Sequence, residues 1–215
     1  MATKEIIEIK PLQIKKATIR IEGDTPLIMH AWSEKAKREM LEKQMKVTKT
    51  KAKAAKNPVE DFIRSMYWLT PMPEEMTESA FNEAILGGAR FGFPVTAFKQ
   101  AAISAAYRMG WAKDKVSLKG AFFIDCDANQ MVEIKSDSPI MREDMVKLQK
   151  EVADIRYRGE FRNWFADLTI SFNENGQYTL EQIVNMINAG GYFCGVGEWR
   201  PEKDGQFGMF HVAAT

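Results

Sequence analysis

Residues 14–22, Ile-Lys-Lys-Ala-Thr-Ile-Arg-Ile-Glu, alternate apolar and polar positions toward their C-terminal end, the pattern of a strand with one buried face. Gly23-Asp24 ends it. Ser33 is placed to cap a helix over the straight-chain run Glu34 to Lys46, and Asn57-Pro58 opens a second over Val59 to Met66, before Pro71 and Pro73 interrupt the chain. The strongest helical stretch is Phe91 to Gly110, with Pro94 in its first turn, alanines through the middle and a terminal glycine. Ser117 to Asp125 and Met131 to Lys135 read as a hairpin across Cys126-Asp-Ala-Asn-Gln130, and Trp164 to Phe172 as another alternating strand. Thr179 caps a helix from Leu180 to Asn188, stopped at Gly190-Gly191, and Phe207 to Val212 is the last strand.

Strands and helices interleave, but the hairpin argues against an all-parallel sheet. The expected class is α+β: a ferredoxin-like (RRM-like) antiparallel sheet with helices packed on it. No sequence repeat is evident, and residues 1–215 are expected to form one domain with 46–57 as a flexible basic insertion.

Charge changes this picture locally rather than globally. The net charge is +1, yet Lys35 to Lys56 holds nine basic residues against Glu39 and Glu42, so it carries +7 and the rest of the chain −6. Lys46, Lys49, Lys51, Lys53 and Lys56 have almost nothing large and apolar between them, so the run cannot form an amphipathic core helix. Two readings stand: a solvated helix end or loop, or an arm attracted to a phosphate backbone. Hydrophobic residues at 45% and charged residues at 27% exclude a disordered chain. No run approaches the roughly 18 apolar residues of a membrane span, and the N-terminus has no apolar segment behind Lys4 and Glu5, so a cytoplasmic protein without membrane contact is expected. Cys126 and Cys194 have no zinc-like or disulfide-framework spacing, and no metal or other cofactor is expected.

The segment 195–208 combines Gly195, Gly197, Gly205 and Gly208 with Trp199, Arg200 and Lys203, between a helix and a strand. Glycine lets backbone amides approach phosphate oxygens, arginine grips a phosphate with two donors, and tryptophan offers a face to a base. The dinucleotide fingerprint fails here, because the loop follows a helix and lacks the third glycine at the required spacing. Turn geometry alone is the competing explanation.

Thr25-Pro26-Leu27 after a first strand, Gly92-Phe-Pro-Val-Thr-Ala-Phe-Lys99 at the start of an alanine-rich helix, and the glycine loop together resemble the RAMP superfamily, RNA-binding proteins of CRISPR effector complexes. The resemblance implies an RRM-like fold, single-stranded nucleic-acid binding and head-to-tail polymerisation on the strand. By position it places Lys99 near the nucleic acid and the four glycines in the binding loop. The chain departs from the family where Val95-Thr-Ala-Phe98 replaces small hydroxyl residues and Gln100 replaces a glycine. A compact chain with a lysine-rich insertion also looks like a phage-encoded relative, which would act in the host cytoplasm.

Arg156, Tyr157, Arg158, Phe161, Arg162 and Trp164 alternate cations with rings, as a single-strand groove requires. In a strand these rings cannot all share a face without a bend at Gly159. Rings buried beneath solvated or Glu160- and Asp154-paired arginines are the alternative. His30 and His211 are the only imidazoles, so a ribonuclease must use one of them. Asp125, Asp127 and Asn129 alternate like a calcium loop, but its glycine and later glutamate are missing. The expected function is non-catalytic binding of single-stranded RNA or DNA, with self-association into a helical or filamentous homo-oligomer. The alternatives are a RAMP-like endoribonuclease using His30 or His211, and an inhibitor or assembly protein that meets an acidic partner.

Overall fold

The structure is a computed structural model that describes residues 10–32, 37, 40–42, 44–45, 55–147 and 153–214. Its strands are β1 (Ile14–Gly23), β2 (Leu27–Met29), β3 (Phe91–Pro94), β4 (Phe122–Ile124), β5 (Met131–Ile134), β6 (Ile140–Lys147), β7 (Ala153–Phe161), β8 (Phe165–Asn173) and β9 (Phe210–Val212). Its helices are α1 (Pro58–Arg64), α2 (Glu78–Leu86), α3 (Val95–Arg108), α4 (Lys115–Lys119) and α5 (Leu180–Phe193).

The main sheet has the order β4-β8-β1-β9, every neighbour antiparallel. With α3 between β1 and β4, and α5 between β8 and β9, this is the split βαββαβ arrangement of a ferredoxin-like fold. The class is α+β. Alternation in β8 explains the layering: Ala166, Leu168, Ile170 and Phe172 are buried, while Phe165, Asp167, Thr169, Ser171 and Asn173 take the opposite phase. The register Ile21↔Ala166, Ile19↔Leu168, Ala17↔Ile170 continues the inner face onto β1. Both α3 and α5 pack there, and Phe98 of α3 meets the Phe210 ring at 5.7 Å.

Caps set the helix starts. Asn57 accepts from the Val59 and Glu60 amides, Thr77 from Ala80, and Asp114 from Ser117, while Thr179 and Gln182 form a reciprocal capping box on α5. Several boundaries differ from the sequence reading. Phe91 to Pro94 form a strand paired with β5, so the helix begins only at Val95. The expected hairpin is absent, since Asp114 starts a helix over Lys115–Lys119 and β4 pairs with β8 instead of β5. Gly190 and Gly191 do not stop α5; they lie buried inside it. A Cβ on Gly190 would sit 2.6 Å from the Ala102 amide of α3, and one on Gly191 would overlap the Phe210 carbonyl, so the pair permits close approach.

A second sheet has the order β2-β7-β6. Gly159 and Phe161 face the core, against Met66 and Phe91. The opposite face carries Arg142, Asp144, Arg158 and Glu160, and over it lies the glycine-rich segment.

Candidate nucleic-acid interface

The structure brings the glycine loop and the arginine cluster together, but joins them through carboxylates. β2 is an edge strand, and the loop covers that edge: the Glu198 amide donates to Ile28 O, and the Gly208 amide to Pro26 O. Within the loop, the amides of Gly195, Val196, Glu202, Lys203, Asp204, Gly205 and Phe207 donate to Gly190, Gly208, Cys194, Arg200, Pro201, Arg200 and Trp199 carbonyls. These donors are therefore spent. The glycines serve closure: a Cβ on Gly197 would meet Ile28 O at 2.6 Å, and Cβ atoms on Gly205 and Gly208 would overlap the Trp199 and Val196 carbonyls. This favours the turn-geometry explanation over a phosphate cradle.

The arginines show the same economy. Arg158 is 4% exposed; it donates from one terminal nitrogen to Asp144 at 3.0 Å and reaches Glu198 from the other at 3.3 Å. Arg142 bridges Asp144 (2.8 Å) and Glu160 (3.0 Å) and stacks over Phe207 at 4.5 Å, while Arg162 donates to Glu160 at 2.7 Å. Arg142 and Arg158 stand directly opposite one another, a like-charge pairing that is offset by the diagonal carboxylates. Burial alone would raise the Asp144 and Glu160 carboxyls, but hydrogen bonds from these arginines outweigh it and hold both below the ordinary carboxylate range.

Of the remaining sequence candidates, Arg156 donates to Asp154, and Lys56 reaches both Asp154 and the Ile155 carbonyl. Tyr157 is half-buried beneath Lys56, and β7 runs in unbroken register through Gly159, with no bend. Trp164 lies beyond β7, 1% exposed, with its indole N–H donating to the Thr25 carbonyl; it is a core ring and cannot stack on a base. Trp199 is half-buried, and its indole N–H lies buried facing Asp144 without reaching hydrogen-bond geometry. Arg200 is held by the Gly197 carbonyl and Glu202, whereas Lys203 is exposed. Lys46, Lys49, Lys51 and Lys53 lie outside the described residues.

His30 sits beside this network, 3.4 Å from Arg158. Burial first, then the Arg158 charge, push its pKa down, against the pull of Glu198. The folded state therefore resists a proton that the unfolded chain takes up near pH 6.5, so folded stability falls as pH drops below that value. Urea midpoints at about pH 7.5 and 5.5 are expected to diverge in the wild type and to draw together in His30→Gln; equal divergence in both would assign the slope elsewhere.

A different surface pairs rings with cations. The sheet face away from α3 and α5 is open, and two rings occupy its polar phase. Phe165 lies beneath Arg20 (4.6 Å) and Lys135 (5.6 Å). Phe123, on edge strand β4, is 59% exposed, and Lys99 of α3 comes within 4.0 Å of its ring at that edge, beside a cleft of about 450 Å³ whose lining includes Ile14, Ser171 and Asn173. Between the rings run Lys16 and the Thr18 and Thr169 hydroxyls, with Ser171 opposite Phe123. Asp167 holds Arg20 (2.9 Å) and Lys135 (3.6 Å), while Asp125 accepts from Lys16 and Ser171; these hydrogen bonds keep both carboxyls ionised below their ordinary range. Desolvation lowers the Lys99 pKa.

No family model matches the chain, and no curated protein sequence matches it. Among solved structures, the crystal structure of Cmr6 from Pyrococcus furiosus is similar at 12% identity and a TM-score of 0.37, covering 94% of this chain and 100% of that one.

The sequence reading missed Phe123 and Phe165 as a pair. Their signal is phase: each is a ring on the polar side of a strand whose neighbours Phe122 and Ala166 turn inward. Among the described residues, no group of three His, Cys, Asp or Glu side chains is placed to hold a metal ion, and no helix is long and apolar enough to cross a membrane.

Proposed function

We propose that the protein binds single-stranded nucleic acid without acting on it chemically, with the open sheet face as the platform and the 46–56 lysine segment as the long-range attractor. The observation that carries this reading is the pairing of two polar-phase rings with cations, Phe165 with Arg20 and Lys135, and Phe123 with Lys99. Bases stack on such rings whatever their identity, at about 1–3 kcal/mol each, while neighbouring cations turn to phosphate. The RAMP-like sequence motifs support the same class of ligand. Self-association along the strand belongs to this reading and is supported by the exposed Met145 and Ile155, paired across β6 and β7.

Anisotropy of a labelled oligonucleotide at low salt tests the platform. Phe165→Ala is expected to weaken binding by about tenfold or more. Asp167→Asn, which releases Arg20 and Lys135 from a competing anion, is expected to strengthen it about threefold. With about five phosphates neutralised, log K should fall against log salt with a slope near −3.5. Unchanged affinity in both variants would overturn the platform.

One observation favours a second reading, an endoribonuclease centred on His211 rather than His30. His211 Nδ1 lies 2.7 Å from Asp24 Oδ1, the pairing that orients an imidazole for proton transfer. His211→Ala would abolish cleavage and leave binding intact; a wild-type protein that cleaves neither RNA nor DNA eliminates this reading.

A further inference from the structure

Beside α5, at the β9 edge of the main sheet, lies a cleft of about 590 Å³, separate from the glycine loop and from the Phe123–Phe165 face. Its walls include the Trp111, Tyr192 and Phe193 rings, with Trp111 47% and Tyr192 63% exposed, and buried Phe210 and Met186 lie at its base. Such volume and aromatic lining suit a small planar ligand. Three carboxamides, Gln182, Asn185 and Asn188, succeed one another at intervals of three along the α5 flank of the same cleft.

Their hydrogen bonds leave chemistry in hand. Gln182 spends its carbonyl oxygen on the Thr179 amide at 3.0 Å, and Asn188 spends its own on the Val212 amide at 2.9 Å. Both NH₂ groups then remain as donors, and the Asn185 side chain makes no hydrogen bond among the described residues. Among the described residues, the cleft is lined by no Lys or Arg, and Asp24 is its one carboxylate, tied to His211. Among the described residues, a phosphate finds no lysine or arginine there. A neutral planar ring with amide-like edges finds stacking faces and hydrogen-bond partners together.

We infer that this cleft is a nucleobase pocket, which stacks a purine or pyrimidine against Trp111 and Tyr192 and reads its edge with the α5 carboxamides. The base can come from a free nucleotide or from an unstacked position of a bound strand. The three carboxamides weigh against a purely apolar contact with a second copy of the chain. The site does not depend on the open-face reading, because a mononucleotide can fill it where no strand binds.

Calorimetric titration of the full chain with AMP, GMP, CMP and UMP, each to about 5 mM, tests the inference. Saturable binding of at least one nucleotide is expected, weakened about tenfold in Trp111→Ala and in Asn185→Leu. Two variants guard against a folding defect in either, checked by near-UV circular dichroism. Should no mononucleotide bind, an oligonucleotide whose affinity falls about tenfold in Trp111→Ala supports the pocket with the strand as its source. No saturable binding of mononucleotides together with unchanged oligonucleotide affinity in both variants would overturn it. So would self-association that is lost in Trp111→Ala without any nucleotide effect, which would make the cleft a contact between copies. Failure of the open-face reading shows separately, in Phe165→Ala.

Discussion

Arg158→Met is expected to cost the folded state about 3–5 kcal/mol. The guanidinium is buried and neutralises Asp144, itself buried, while reaching Glu198 on the glycine loop. Methionine retains much of the volume but leaves Asp144 with Arg142 as its one arginine partner, and removes the tie that docks the loop on β7. Removing one member of such a network is more costly than removing both, because a carboxylate that has lost one of its two arginines stays out of water. The double variant Arg158→Met with Asp144→Leu should therefore recover much of the loss. Equilibrium urea unfolding of the three proteins reads this directly; a single variant within about 1 kcal/mol of wild type would show that the network contributes little.

Gly191→Ala is the second large effect, expected to destabilise by about 2–4 kcal/mol. By helix propensity alone the change would stabilise α5 by about 1 kcal/mol, so the sign separates two accounts of the same residue. The added Cβ has no room, since the Phe210 carbonyl occupies its position and α5 must separate from β9 to admit it. Phe210 also holds the Trp164 and Phe98 rings, so the displacement spreads through the core. A thermal midpoint at or above that of the wild type would mean that the α5–β9 contact is looser than the structure has it.

These two sites also show where the sequence was legible and where it was not. Alternation over residues 14–22 and 164–172 gave strands with one buried face, found as Ile14–Gly23 and Phe165–Asn173, and Thr179 announced a helix start, because such signals are local. Strand pairing is not local. Phe122–Ile124 found β8 rather than the nearer β5, since burial of Phe122 and Ile124 beside Phe172 and Ile170 depends on residues more than forty positions away. A glycine pair reads as a helix stop until the chain that crosses it is known. The cation–ring alternation at 156–164 held both its readings open, because Asp144 and Glu198 come from other segments. Only the fold shows that they convert an apparent phosphate groove into a docking clip, and that Phe123 and Phe165 share the outer face of the main sheet.

On the proposed reading, a single strand lies across the open sheet face. Photocrosslinking of a uniformly 4-thiouridine-substituted oligonucleotide to the full chain, with mass-spectrometric mapping of the attached peptides, locates the strand. Adducts on the peptides that hold Phe123 and Phe165 are the predicted result. Adducts confined to residues 195–208, with neither ring modified, would contradict it.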